Sequence, residues 1–346
     1  MGNVLVIGGS RFMGRRLVWR LLAEGHAVTT VNRGLHPDPF GSRVTRLQAD
    51  RTTREFREVL RRRSFDAAVD FLAFSGADAV GAVTALSGRV GHYVMISSGQ
   101  VYLVRQALPG GRRGPVTEDA YPGPTMVAPQ EPSDRREWLY GVGKREAEDA
   151  LQEAFAAHAF PYTALRLPMV DGEGDPSRRL ESYLWRILDG GPLLLPDGEG
   201  QPVRHVYSGD VARAISDLLG KPQTFGEGYN LCQEEMPSLG QLLALLAGLL
   251  GARLDLRPIP GAALRASGIG PEEISPFSTG WMSLLDPGKA RRDLGFRHAP
   301  LEVYLGRIVA AFLSEGPVEP PANYALRPRE LALTTDGPTD HPDLEV

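Results

Sequence analysis

Cysteine is almost missing from this 346-residue sequence; Cys232 stands alone. One thiol excludes an intramolecular disulfide and any multi-cysteine metal centre. The seven histidines are scattered without HxH, HxxxH or HExxH spacing, so no structural metal is expected. A net charge of −4 provides no global basic field for nucleic acid or an anionic membrane. Local basic clusters, such as Arg61 to Arg63 and Arg112 with Arg113, read as solvated faces. Long apolar runs are also absent. "LGQLLALLAGLLGARL", from Leu239 to Leu254, is too short for a membrane span and has helical apolar spacing. The first residues enter a strand pattern at once, without room for a signal peptide, and Gly2 lacks the following Ser/Thr of a myristoylation signal. A cytoplasmic protein with no membrane partner is the expectation. Lysine is the last scarcity. Lys144, Lys221 and Lys289 are the only lysines among 38 basic Lys and Arg residues.

What is present is an alternation of strand-like and helix-like runs. "NVLVIGG" is apolar on both faces, as a central parallel strand is. A helical pattern follows and ends at Gly25, a helix-stop residue. "AVTTVNR", "VTRLQAD", "FDAAVDFLA", "VGHYVMISS" and "YTALRLPMV" read as further strands, with helical patterns between them. This rhythm predicts an α/β fold with a doubly wound parallel (Rossmann) sheet and a smaller mixed α/β C-terminal substrate domain. The expected division is 1–170 for the dinucleotide-binding domain and 171–316 mainly for the substrate domain, with part of the late chain returning to the first. Residues 317–346, rich in Pro and charge, are expected to be a partly disordered extension. No internal repeat is visible.

The stretch "VIGGSRFMG" sits between the first strand and its helix. Gly8 permits the tight turn, Gly9 follows it, and Gly14 lets the helix pack closely on the strand. Ser10, Arg11, Phe12 and Met13 complete the turn, and Arg11 takes the place usual for a middle glycine. The helix N-terminus would face a pyrophosphate with free N–H groups and the positive end of its dipole. The second strand ends in Asn32 and Arg33 instead of the carboxylate that grips the ribose hydroxyls in many NAD sites. Arg11 and Arg33 would suit a 2′-phosphate, so NADP is favoured over NAD; the bland alternative makes Arg33 a surface residue. Asp50, at the end of the third strand, is a candidate adenine contact.

Two more motifs follow in order: "SSGQVY" (97–102) at a strand end, and "YGVGK" (140–144) within a helix pattern. The i, i+4 spacing puts Tyr140 and Lys144 on one helix face. A nearby ammonium favours the phenolate and brings the phenol within reach of acid/base work. In a chain whose cations are nearly all arginine, a lysine here is unlikely to be chance.

Together with "TEDAYPGPT" and "LDPGKARRDLGF", these motifs resemble the extended short-chain dehydrogenase/reductase superfamily, in its NAD-dependent epimerase/dehydratase branch. The GGxRFxG form also resembles the atypical branch that includes a chloroplast stem-loop RNA-binding protein. The resemblance spans roughly 3–315. It implies Ser98 as catalytic serine, Tyr140 as acid/base and Lys144 as its ribose-binding partner, with Leu72, Ala73, Ser97 and Leu167 beside the cofactor. It implies Ser98, Gly99, Gln100, Met169 and Arg204 at the substrate, and a homodimer. Three departures bear on the substrate. Gly99 and Gln100 stand where the sugar dehydratases carry an acidic pair, which disfavours 4,6-dehydration. Met169 replaces an asparagine that touches nucleotide-sugars. Arg204 lies one residue closer to Asp210 than the diphosphate-gripping arginine of the pattern, and a one-residue slip in a strand changes its face. The loop from Leu103 to Leu139 reads either as a lid that helps bind a negative group or as a solvent-exposed insertion.

The leading expectation is an NAD(P)-dependent epimerase acting on a small molecule, with a nucleotide-sugar foremost. The alternative is an NADPH-dependent carbonyl reductase. A non-catalytic nucleotide-sensing or RNA-binding protein is the third reading.

Overall fold

The computed structural model describes residues 2–106, 114–315 and 319–335. In chain order the elements are β1 (Asn3–Ile7), α1 (Phe12–Ala23), β2 (Ala27–Asn32), β3 (Val44–Gln48), α2 (Arg54–Leu60), β4 (Ala67–Asp70), α3 (Gly76–Leu86) and β5 (Tyr93–Ser98). Then come α4 (Gln100–Leu103), α5 (Pro132–His158), β6 (Tyr162–Leu167), β7 (Met169–Asp171), α6 (Arg179–Leu188), β8 (Leu193–Pro196), β9 (His205–Tyr207), α7 (Ser208–Leu218) and β10 (Glu227–Asn230). The late elements are α8 (Leu239–Leu250), β11 (Leu256–Ile259), α9 (Gly261–Ala266), α10 (Pro271–Ile274), α11 (Gly288–Leu294), α12 (Leu301–Glu315) and α13 (Arg327–Thr335).

The chain divides into two compact units. The first comprises Met1–Gly174, Arg204–Glu235 and Trp281–Pro300. Its sheet runs β10-β6-β5-β4-β1-β2-β3, with every pair parallel. Parallel strands need helical crossovers, which cover both faces, so β4 and β5 are buried throughout. Leu17 and Leu21 of α1 with Val211 and Ile215 of α7 build the core on one face. Phe56, Ala82, Leu86, Ala147 and Leu151, from α2, α3 and α5, build it on the other. The "FGEGYNLCQ" strand is the sheet's seventh: β10 pairs with β6, Glu227 opposite Thr163.

The second unit comprises Asp175–Val203, Met236–Gly280 and Leu301–Val346. It holds the parallel pair β8 and β11 and a small core of Leu194, Leu264, Ile269 and Ile274. Ser238 starts α8 with a capping box to Gln241. Within the stretch expected as a loose extension, 322–335 is helical. Glu330 of α13 is buried in an ion pair with Arg186 of α6, 2.5 Å apart. Residues 336–346 lie outside the described residues.

The loop expected over 103–139 is shorter, because 132–139 already belongs to α5, and it is tied down where it is described. Val116 N donates to Leu284 O at 2.7 Å and Asp286 N to Val116 O at 2.8 Å. Arg145 of α5 donates to the carbonyls of Tyr121 and Gly123. Gly110, Gly111, Arg112 and Arg113, on which the lid reading leaned, lie outside the described residues.

Candidate functional site

The glycine turn leaves the end of β1 at Gly8, whose φ of +91° suits glycine. A Cβ on Gly14 would lie 2.4 Å from Gly8 O, so only glycine lets α1 come this close. Arg11 adopts φ −131°, ψ 157°, an extended conformation open to any residue. The backbone therefore does not need glycine there, and the turn's unusual angle falls on Phe12 at φ +41°. Phe12 and Met13 pack against the hydrophobic core. The first turn of α1 has no side-chain cap and no acidic residue, so its N–H groups are left for an anion.

Beside this turn is a cavity of about 450 Å³. Gly8, Ser10 and Arg11 line it from the turn, Asn32 and Arg33 from the end of β2, Asp50 from beyond β3 and Leu72 from beyond β4. Asn32 Nδ2 donates to Ser10 Oγ at 3.0 Å. Thr52 donates its N–H and its hydroxyl to Asp50, and with Arg33 nearby this holds the Asp50 carboxyl below the usual range. These expected cofactor residues meet in one place, and the open helix end and glycine cradle fit a dinucleotide.

The wall includes residues that motif reading missed: His36, Arg51, Phe74 and Asp78. Arg51 Nη1 reaches both oxygens of buried Asp70 at 2.8 and 2.9 Å, and Nη2 donates to Asp78 O. Tyr93 donates to Asp70 from the other side at 2.6 Å. Arg51 follows Asp50 directly, so its nearness was legible; its partners were not.

Ser98 closes β5 and accepts from Gln100 N at 3.2 Å. Neighbouring residues of a strand face opposite ways. Ser97, expected at the cofactor, turns its hydroxyl to Glu148 in a buried network. There Glu148 pairs with Arg166 at 2.6 Å, and Arg166 donates to Tyr102 OH, which donates to Asn230.

Helix α5 packs unusually close because of the glycines in "YGVGK". A Cβ on Gly141 would lie 2.5 Å from Val104 Cγ1, and one on Gly143 would lie 2.3 Å from Phe74 O. This closeness carries Lys144 into the interior, where it is 2% exposed. Its Nζ donates to Ala73 O and Ile96 O, both at 2.8 Å. An ammonium has three N–H donors, so two are used by these bonds. The ammonium lies 4.5 Å from the centre of the Phe74 ring and 5.8 Å from that of Tyr140. Burial lowers the Lys144 pKa to about 8. Tyr140 is 38% exposed, within reach of a substrate.

The remaining expected residues take backbone or packing roles. Ala73 supplies the carbonyl for Lys144, and Leu167 O accepts from Gly99 N. A Cβ on Gly99 would collide with Ser283 Oγ at 2.3 Å. Met169 begins β7, half-buried. Arg204, expected at the substrate, is buried, and its Nη1 donates to Gln233 O and Glu234 O. Gln100 donates to Glu137, another residue the motifs did not mark.

The family model of the NAD dependent epimerase/dehydratase family matches residues 4–232. The chain belongs to this family. Among curated proteins, the chloroplast stem-loop binding protein of 41 kDa b from Arabidopsis thaliana is 26% identical over 247 residues, 67% of this chain. The match spans 59% of that relative's length. Among solved structures, the UDP-glucose 4-epimerase of Thermotoga maritima superposes with a TM-score of 0.70 at 19% identity, covering 90% of this chain and 99% of that one. The dTDP-glucose 4,6-dehydratase of Bacillus anthracis, in complex with NAD, gives 0.69 at 17%, covering 91% and 97%. The UDP-glucuronic acid 4-epimerase of Bacillus cereus, also with NAD, gives 0.68 at 18%, covering 89% and 96%. At these identities the structural likeness is one of fold. Among the described residues no helix is long and apolar enough to cross a membrane.

Proposed function

We propose that this protein is an epimerase that inverts a hydroxyl-bearing carbon of a nucleotide-activated sugar, with NADP favoured over NAD. The observation that carries this reading is the buried Lys144 ammonium beside the exposed Tyr140, one turn away on α5. A bound nicotinamide would supply the acceptor and then the donor of the hydride, and inversion requires the keto intermediate to present its other face before the hydride returns. Tyr140 takes the proton of the reacting hydroxyl and gives it back to the keto oxygen. The Lys144 ammonium favours the phenolate that this requires, and it has a third N–H for a ribose hydroxyl. Ser98 holds the reacting oxygen by hydrogen bonding. Gly8, Gly14 and the open end of α1 would receive the pyrophosphate. Arg11 and Arg33 would receive a 2′-phosphate, which supports NADP.

The carbonyl-reductase reading has one observation in its favour: Arg204 donates to backbone carbonyls instead of standing ready for a diphosphate. Mass spectrometry of nucleotide released on denaturing the purified protein separates the two. Stoichiometric NADP(H) or NAD(H) is expected for an epimerase, whose cofactor is recycled in place. Empty protein that binds NADPH reversibly favours the reductase, and protein that binds no dinucleotide overturns both. Light scattering on the same sample checks the homodimer, the assembly we propose for it.

A further inference from the structure

One helical turn before Tyr140, α5 carries Glu137. Residues 137, 140, 141 and 144 share one face of the helix, because side chains three and four apart are neighbours. Lys144 marks the cofactor end of this stripe, against Ala73 O and the Phe74 ring, and Phe74 lines the cavity at the glycine turn. Glu137 marks the opposite end. Its Oε2 accepts from Gln100 Nε2 at 2.5 Å. Gln100 in turn donates its backbone N–H to Ser98 Oγ. Its carbonyl would lie 3.0 Å from a Cβ on Gly141, next to Tyr140. Gln100 and Glu137 therefore adjoin Ser98 and Tyr140 on the side away from the cofactor cavity.

Both groups at this end present an acceptor oxygen, and the Gln100 amide keeps one N–H beyond the one it gives to Glu137. The Gln100 amide spends an N–H on Glu137, and its Oε1 is buried with no hydrogen-bond partner among the described residues. Arg135 and Arg136 are exposed and project from other sides of the helix. A buried acceptor left without a donor is costly, so the ligand group that belongs here brings donors. A hydroxyl does so. A carboxylate brings none and places a second negative charge beside Glu137.

We propose that Glu137, together with Gln100, is a specificity-determining residue that admits a neutral hydroxyl-bearing substituent beside the reacting carbon and rejects an anionic one. This rests on the nucleotide-sugar reading above and narrows it to neutral sugars. UDP-glucose and UDP-glucuronate are the probes. They differ on the carbon next to C4, where one carries a hydroxymethyl group and the other a carboxylate.

Calorimetric titration of both ligands into the NADP-saturated full chain tests the proposal. Wild type should bind UDP-glucose about tenfold tighter than UDP-glucuronate, since like charges brought together suppress wrong partners. E137Q, which removes the charge at constant size, should narrow the ratio to about threefold or less, and E137M provides a second charge-free variant should E137Q not fold. Equal affinities in wild type, or a ratio unchanged in the variants, would overturn this specificity role and leave the nucleotide-sugar reading standing. If wild type bound the dinucleotide but neither UDP-sugar, that reading would fall, and this inference with it.

Discussion

Arg11 and Lys144 show how much one position can reveal. Arg11 breaks the glycine pattern without breaking the turn, because its backbone is extended; the steric demand rests on Gly8 and Gly14. Lys144 was legible from spacing and from the scarcity of lysine, but its burial was not, since that depends on Phe74, Ala73 and Ile96 from other elements. Glu137 was illegible for a similar reason: its partner, Gln100, is 37 residues away. The burial of Lys144 has a measurable signature. Its pKa falls from 10.5 to about 8, so the unfolded chain keeps this proton to higher pH than the folded one. Below about pH 8 both states hold the proton and its effect on stability is flat. From there toward 10.5 the unfolded state binds more protons, and this lysine makes stability rise with pH, by at most about 1.4 kcal/mol per unit. Buried Cys232, whose thiol burial pushes up from 9.0 to about 12, acts in the opposite sense from about pH 9, and buried tyrosines such as Tyr102 and Tyr162 do so above about pH 10. Urea denaturation between about pH 8 and 9 should therefore show stability rising more steeply with pH in wild type than in K144M.

At the scale of elements, α5 is the part whose position matters most. It reaches the β4–α3 connection only because Gly143 has no side chain. In G143A the new Cβ would meet Phe74 O, a backbone atom that cannot swing aside, and α5 must move. Overpacking of this kind costs about 1–3 kcal/mol. G143A should lose that much in chemical denaturation and bind NADPH more weakly, because Tyr140 and Lys144 travel with the helix. G248A, on an open face of α8, is the matched control and should hold or gain stability. Short apolar runs between helical patterns made the strands legible as elements. It did not reveal that β10 pairs with β6, because that partnership is set by chain segments more than sixty residues apart. The expected 65–73 and 90–98 strands are trimmed to Ala67–Asp70 and Tyr93–Ser98. The end of the first becomes the loop that carries Leu72 and Ala73 to the site, while the second keeps its site end at Ser98.

At the scale of the molecule, the late chain was the hardest part to read. Pro and charge in 317–346 resemble a loose tail, yet two of those charges are structural. Glu330 is buried against Arg186, and Arg327 holds Asp189 at 2.7 Å. A charged residue reads as surface until its partner is known, and here the partner lies 144 positions upstream. Breaking such a pair leaves an uncompensated buried cation, at about 3–5 kcal/mol. E330Q should therefore destabilise the second unit by that order in denaturation. Dinucleotide affinity, which we propose for the first unit, should persist under native conditions. The two units interleave along the chain, and hydrophobic patterning does not foretell this, because it marks what is buried and not against what.

The burial of one lysine in a chain with three also has a use in protein chemistry. An acylating reagent can reach Lys221, which is half-buried, and Lys289, which is paired with Glu227 near the surface. Lys144 can be acylated only while α5 is lifted from the sheet. Peptide-level labelling over time thus carries its own clock: two reference amines and one that times the breathing of the helix bearing Tyr140.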